Sequence, residues 1–513
     1  MPGASSAREP LIMTSQGEHS QLVIEEESNL EETEDVGCRR RCPKILIAFI
    51  AIYLVILVLF LGVAVKLRKT SAYPHVIVII VDDLGWNDVE WNDPDMRTPT
   101  LKALLENGVL LNNSYAHPFD SPSRAATFTG MYPFHMGLQH ERMDPYTPTF
   151  LPDNFAMLPA HLKKLSYKTY LVGKWHLGFC DWKYTPVKRG FDSFTGFYTD
   201  HLDYYTHRDA KGHYDFRTGE MVDFEAEGTH STNVIVGRAG DIIRNHEVAV
   251  PLFLVISFQA VHSPVQVPQN YLNETCAHIN DTSRRAMCAM AAMMDEGIAN
   301  VTSKLRDKNM LGNSVIIVTS DNGGVTAQGS SNGPFRGENG ELYEGGTRVM
   351  SLVASEYYLS SKGYTYNGLF HQVDWFPTIV SITGTPIPKD LDGLNHWHAL
   401  STDGPSPRSE VVYNIDETYN NAAIRIDDFK LIEGSPNFTH PGHPGHTQAP
   451  QLYDLSSDPG ETNNLAEAMP EKLEYLRSRL ESQRKSLVPA VDKGKAIASD
   501  PSLWNNIWSP GWC

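Results

Sequence analysis

The sequence predicts an α/β protein: a large, mostly parallel (mixed) sheet flanked by helices, plus a smaller C-terminal α+β domain with an antiparallel sheet. Continuous apolar runs rich in β-branched residues recur along the chain, each ending in polar residues. They are "HVIVIIVDD" from His75, "YKTYLVGKWH" from Tyr167, "PLFLVISFQAVH" from Pro251 and "NSVIIVTSDNGG" from Asn313. Helical patterns over Thr98–Asn107, Pro159–Leu165 and Arg284–Arg306 separate them. From about Gly393 the pattern changes to short alternating segments, "EVVYNID", "AAIRIDDFKLIEG" and "QLYDLSSDPGE", followed by a helix over Pro470–Lys485.

A strand covered by helices on both faces reads as an unbroken apolar run, which is why the first four segments point to a parallel sheet. The alternating C-terminal segments suit antiparallel strands with unlike faces. In open parallel sheets ligands bind beyond the carboxyl ends of the strands, and the polar residues gather there. At 513 residues and 41% hydrophobic the chain can bury a large core, and a net charge of −18 leaves no basic surface for nucleic acid.

Four regions are expected. Residues 1–43 form an acidic, disordered tail ("VIEEESNLEETEDVG") and 44–66 a membrane-spanning signal anchor. Residues 74–392 form the α/β domain and 393–513 the C-terminal one. The apolar run Ile45–Val65 is uncharged and spans ~31 Å as a helix, enough for a bilayer core and too apolar all round for a globular helix. Flanking charges, Arg39, Arg40, Arg41 and Lys44 against Lys66, Arg68 and Lys69, orient it weakly. Glycosylation sequons at Asn112, Asn273, Asn280, Asn300 and Asn437 all follow the run and none precedes it. A single-pass type II protein with a lumenal or extracellular body is therefore expected, in the secretory pathway, the lysosome or at the cell surface. Cys38 and Cys42 stand beside the run, either as palmitoylation sites or as ordinary thiols; Cys276 and Cys288 are close enough in sequence to pair. The His-, Pro- and Gly-rich stretch from Asn437 to Pro450 reads as a loop.

Chemistry concentrates at the strand ends. Asp82 and Asp83 close the first run, and Asp321 and Asn322 another. Adjacent buried carboxylates repel and are costly to desolvate unless a cation joins them, and oxygen-only ligands favour Ca²⁺ or Mg²⁺ over zinc. "DD" and "DNGG" also suit turns, so spacing alone leaves both readings open. Lys174, His176 and His262 end other runs, and Arg124 opens a helix-like stretch. Cationic groups around a metal suit a tetrahedral oxyanion such as sulfate or phosphate.

The motifs "VDDLGW", "PSRAATFTG", "MGLQH", "GKWHLG", "RGFD", "VHSPVQVP", "SDNGG", "RGENGELYEGGTR" and "LYDLSSDPGETNNLA" occur in that order between about His75 and Ala466. On these the chain resembles the sulfatases of the alkaline-phosphatase superfamily, most closely the arylsulfatase B type. In that family a cysteine two residues before Pro-Ser-Arg is oxidised to formylglycine, whose hydrate attacks sulfur. The resemblance implies one Ca²⁺ held by Asp82, Asp83, Asp321 and Asn322. It implies that Arg124 binds the nucleophile or sulfate, and that Lys174, His176 and His262 stabilise charge and protonate the leaving oxygen. Sulfated glycans or aryl and steroid sulfate esters are the implied ligands.

Two positions depart from the pattern. Asp120 stands where the cysteine belongs, and a carboxylate cannot become formylglycine. Asn339 stands where the family has a second sulfate-binding lysine. Asp120 has the chemistry of a further Ca²⁺ ligand, and both changes make the pocket more negative toward a sulfate ester. Absent or very low turnover is expected; the alternative is an active hydrolase with a non-standard nucleophile, Asp120 itself or Ser121.

Overall fold

In the computed structural model of the chain the described residues are 42–67, 71–437 and 449–513. The acidic tail lies outside them up to residue 41, as do Cys38 and the His-rich loop from 438 to 448. The described chain falls into two units, Met1–Val65 and Lys66–Cys513.

Cys42–Leu67 is a helix. The membrane crossing expected of Ile45–Val65 is not supported: among the described residues no helix is long and apolar enough to cross a membrane. Within this helix the described side chains are those from Leu46 to Leu59, and all of them are exposed. The side chains of Cys42, Ile45 and 60–65 lie outside the described residues.

The second unit is built on a ten-stranded sheet among the described residues. Its strands are β1 (His75–Val81), β2 (Gly108–Tyr115), β3 (Lys168–Lys174), β4 (Ser193–Phe197), β5 (Arg217–Thr218), β6 (Met221–Val222), β7 (Leu252–Ser257), β8 (Ser314–Ser320), β9 (Ser351–Ala354) and β10 (Tyr364–His371). Their order is β10-β2-β9-β8-β1-β7-β3-β4-β5-β6. The centre is parallel, with Ile79 of β1 level with Ile256 and Val318; β9 runs antiparallel to both of its neighbours. The four apolar runs became β1, β3, β7 and β8, and strands β2, β4, β5, β6, β9 and β10 were not foreseen. The polar "NNS" interrupts β2, and β9 has four residues, too few to show a period.

Both faces of the centre are buried, as the unbroken apolar runs imply. Val76, Val78 and Ile80 pack into one cluster with Ala125, Phe128 and Phe376. Ile77, Ile79 and Val81 pack into another with Met287, Met290 and Met294 of helix Thr282–Asp307. That helix starts where Asp281 accepts from the Arg284 N–H and ends with Lys304 and Arg306 in its last turn, each suited to its end of the helix dipole.

A four-stranded antiparallel sheet follows: β11 (Glu410–Asp416), β12 (Asn421–Ile426), β13 (Phe429–Glu433) and β14 (Gln451–Asp454). One face packs Val412, Ile424, Leu431 and Leu452 against Leu476 and Leu480 of helix Pro470–Arg484. The other packs Val411, Tyr413 and Ile432 against Tyr115 and Leu342 of the large-sheet region. Two disulfides close the unit, Cys276–Cys288 and Cys180–Cys513. Asn273, Asn280 and Asn300 are exposed. Asn112 is tied into β2, its Nδ2 donating to Asn367 Oδ1 at 2.8 Å, and Asn437 Nδ2 donates to Glu341 at 2.9 Å.

Asp215 shapes the segment after β4, its Oδ2 accepting the N–H groups of Tyr198 and Thr199 at 2.8 Å each. Burial pushes its carboxyl up from 3.8 to about 6, against the pull of Arg217. A raised folded-state pKa means the folded protein binds more protons, so this group's contribution falls as pH rises from about 4 to about 6. Two pKa units correspond to about 2–3 kcal/mol. Urea unfolding of Asp215→Asn beside the unaltered chain is therefore expected to favour the variant by about that much more at pH 7 than at pH 4. A pH-independent difference would refute this.

Candidate active site

Strands β1, β3, β4, β7 and β8 are mutually parallel, so their carboxyl ends open onto one edge. The residues there come from segments far apart in sequence. β1 delivers Asp82 and Asp83, the latter at φ 59° and sharply turned into the pocket. β8 delivers Asp321 and Asn322. The following Gly323 is required because a Cβ would sit 1.9 Å from the Gly345 carbonyl oxygen. β3 delivers Lys174 and, at φ 50°, His176; His262 follows β7. Helix Asp120–Thr129 begins with Asp120 in its first turn and ends at Gly130 in the left-handed conformation, so the expected helix start is formed.

The structure brings together every site residue expected from sequence. Lys174 Nζ lies 2.6 Å from Asp120 Oδ2 and 2.8 Å from Asp82 Oδ2. Arg124 donates through Nε to Asp321 Oδ2 at 2.9 Å and through Nη1 to Ser257 Oγ at 2.5 Å; its Nη2 is 3.6 Å from Asp82 Oδ1. Asn339 Nδ2 donates to Asp83 Oδ1 at 2.7 Å, alongside Asn322 Nδ2 at 2.6 Å. His262 Nε2 is 3.6 Å from Asp83 Oδ2. His176 Nε2 faces the Met143 carbonyl at 2.9 Å and its Nδ1 faces Asp120 Oδ2 at 2.7 Å.

Asp120 therefore has its whole carboxylate engaged: Oδ2 with Lys174 and His176, Oδ1 with the Ser121 N–H at 2.8 Å. Burial would raise its pKa, but His176 and Lys174 hold it far below the usual carboxylate range. Lys174 is raised against the effect of burial by Asp120, Asp200 and Asp82. Burial pushes Asp82 and Asp83 up, and takes Asp321, with Asp82 beside it, to about 7. His262 is held at about 9 against burial by Asp83, Asp82 and Asp200. Ser121 is buried and its Oγ accepts the Met143 N–H at 2.8 Å.

Sequence reasoning missed Asp200. It lies just beyond β4, with Oδ1 2.8 Å from Lys174 Nζ, and Lys174 and His176 hold it well below its ordinary range despite burial. A polar residue closing the short strand "SFTGF" was the available signal. Half-exposed Arg142, 3.7 Å from Asp200 Oδ2, was also missed; it follows no strand and carries no such signal. Among the described residues, Asp120 groups with His176 and Asp200, and Asp200 also with His201 and His262, their ligand atoms within 4.8 Å of one another. Among the carboxylate and amide groups at the ends of β1 and β8, three buried acceptors have no hydrogen-bond partner: Asp82 Oδ1, Asp83 Oδ2 and Asn322 Oδ1.

A mixed α/β sheet whose strand ends join buried carboxylates to lysine, arginine and histidine is suited to a tetrahedral oxyanion such as sulfate or phosphate. The sulfatase family model matches residues 74–385, and the chain belongs to the sulfatase family. It is 36% identical over 483 residues to arylsulfatase J of Mus musculus, spanning 86% of this chain and 80% of that relative. It is 28% identical over 487 residues to N-acetylgalactosamine-6-sulfatase of Sus scrofa, at 86% and 90%. Among solved structures, Ps i-CgsB in complex with k-i-k-neocarrahexaose superposes with a TM-score of 0.74 at 24% identity. That match covers 85% of this chain and 96% of the other, and it supports the fold.

Proposed function

We propose that this sulfatase-family protein holds one Ca²⁺ and binds sulfated glycan with absent or very low sulfatase turnover. The observation that carries the reading is the pairing of Asp120 with Lys174 and His176 at 2.6 and 2.7 Å. A carboxylate stands where the nucleophile belongs and neutralises two groups that would otherwise meet the sulfate. Asn339 adds to this, because it brings a neutral amide where the family pattern has a cation. Asp82, Asp83, Asp321 and Asn322 would hold the ion. Their unpartnered buried oxygens fit a hard cation, which would neutralise charge at the pocket floor. The N-acetylgalactosamine-6-sulfatase relatives support a sulfated glycan as ligand. Two disulfides and three exposed sequon asparagines support a lumenal or extracellular setting.

Two measurements on the full-length chain test this. Ca²⁺ at a hundredfold excess over its Kd is expected to stabilise by about 2.7 kcal/mol, and Asp83→Ala to abolish the resulting shift in Tm. Hydrolysis of a fluorogenic aryl sulfate with Ca²⁺ present is expected to stay at the level of an Asp82→Ala control. Turnover above that control would overturn the loss of activity and give Asp120 or Ser121 a chemical role.

A further inference from the structure

The calcium reading leaves the histidine side of the pocket without an assigned ligand. Asp200, His201 and His262 offer ligand atoms all within 4.8 Å of one another. The two imidazoles stack, centroids 4.8 Å apart, and His201 Nδ1 lies 3.1 Å from Asp200 Oδ2. His262 Nδ1 lies 2.7 Å from the Ser263 carbonyl oxygen. A carbonyl only accepts, so this nitrogen carries the proton and Nε2 is the one turned toward the carboxylates. That arrangement, with one ring nitrogen donating to a backbone carbonyl and a metal replacing the proton that the carboxylates favour on the other, is how metal-binding histidines are commonly oriented. Nε2 is 3.9 Å from Asp200 Oδ1 and 3.6 Å from Asp83 Oδ2. The Asp83 oxygen, which also faces the calcium position, borders this side of the pocket: the residue is 2% exposed and this atom has no hydrogen-bond partner.

We propose that Asp200, His201 and His262, with Asp83 Oδ2 at the edge, form a second cation site for a borderline divalent metal of the zinc type. Imidazole nitrogens favour Zn²⁺ over Ca²⁺, whereas the oxygen set of Asp82, Asp83, Asp321 and Asn322 favours the reverse, with Asp83 bordering both. Two chemically different cations would thus sit side by side. The trio Asp120, His176 and Asp200 is not the site, because the Lys174 ammonium already bridges its two carboxylates at 2.6 and 2.8 Å. Asp200 can serve both neighbours, Oδ1 toward Lys174 and Oδ2 toward the metal.

The test uses full-length protein with Ca²⁺ in excess, titrated with Zn²⁺ by calorimetry and with Co²⁺ by visible absorption. One equivalent of Zn²⁺ is expected to bind beyond calcium, and Co²⁺ to give a ligand-field band that Zn²⁺ bleaches. His201→Ala, at a side chain 42% exposed and so tolerant of truncation, is expected to weaken Zn²⁺ at least about tenfold. His262→Gln should do the same, and Asp120→Asn should leave Zn²⁺ affinity within about twofold. Unchanged affinity in His201→Ala would mean zinc binds adventitiously elsewhere. Displacement of Zn²⁺ by equimolar Ca²⁺ would mean a single shared site. Either result overturns the second site while leaving the calcium-dependent Tm shift intact.

Discussion

An Asp120→Cys/Asn339→Lys variant, co-expressed with the enzyme that converts the motif cysteine to formylglycine, is expected to hydrolyse a fluorogenic aryl sulfate. The unaltered chain is expected not to. Loss of the nucleophile from a hydrolase site costs on the order of 10⁴–10⁶ in kcat, so restoring it is the largest change available here. The substitution also acts electrostatically. Without the Asp120 carboxylate, Lys174 keeps Asp82 and Asp200 but presents less neutralised charge, and His176 Nδ1 faces the substrate instead of an acid. Asp120→Cys alone should be slower than the double variant. Asn339 reaches Asp83 at 2.7 Å, close enough that a lysine there would add one cation to the pocket, and a unit charge at ~4 Å is worth up to about 4 kcal/mol at an effective dielectric of ~20. If neither variant turns over while formylglycine is verified by mass spectrometry, the disabled-site reading fails and the defect lies elsewhere in the pocket.

The second large effect lies away from the pocket. Lys430 of β13 is fully buried, its Nζ 3.0 Å from Glu344 and 2.9 Å from Glu461. Glu344 also accepts from the hydroxyls of Tyr115 and Tyr413 at 2.8 Å each, so one network joins both sheets. Lys430→Met would leave buried Glu461 without its cation and Glu344 with only Arg348 paired to it at 3.6 Å, a loss of about 3–5 kcal/mol by urea unfolding. Burial, opposed by Lys430, already holds Glu461 at about 7. Without Lys430 that value rises further, so the variant's deficit should shrink as pH falls toward about 7, where Glu461 takes up a proton in both proteins, and stay level below it. Adding Glu461→Gln should recover part of the loss, because the uncompensated charge is gone. An unchanged unfolding midpoint in Lys430→Met would show that the network contributes nothing.

The unbroken β-branched runs at His75, Pro251 and Asn313 were readable as strands because burial on both faces leaves no polar alternation, and the structure places them side by side at the sheet centre. The helix Thr282–Asp307 was readable from its period within two residues at its start. Acids, lysine and histidine at strand ends were readable as one site because parallel strands must open their carboxyl ends onto one edge. These features depend on local period and chain direction, which the order of residues carries by itself. Pairings across the fold do not. Asp120 meets Lys174, 54 positions away, and Lys174 meets Asp200 only because β3 lies between β7 and β4. Cys180 meets Cys513 across 333 positions, and Lys430 meets Glu344 only once the small sheet packs on Tyr115. Chain composition supplied a carboxylate at position 120; strand order decided that it would be spent on Lys174 and His176.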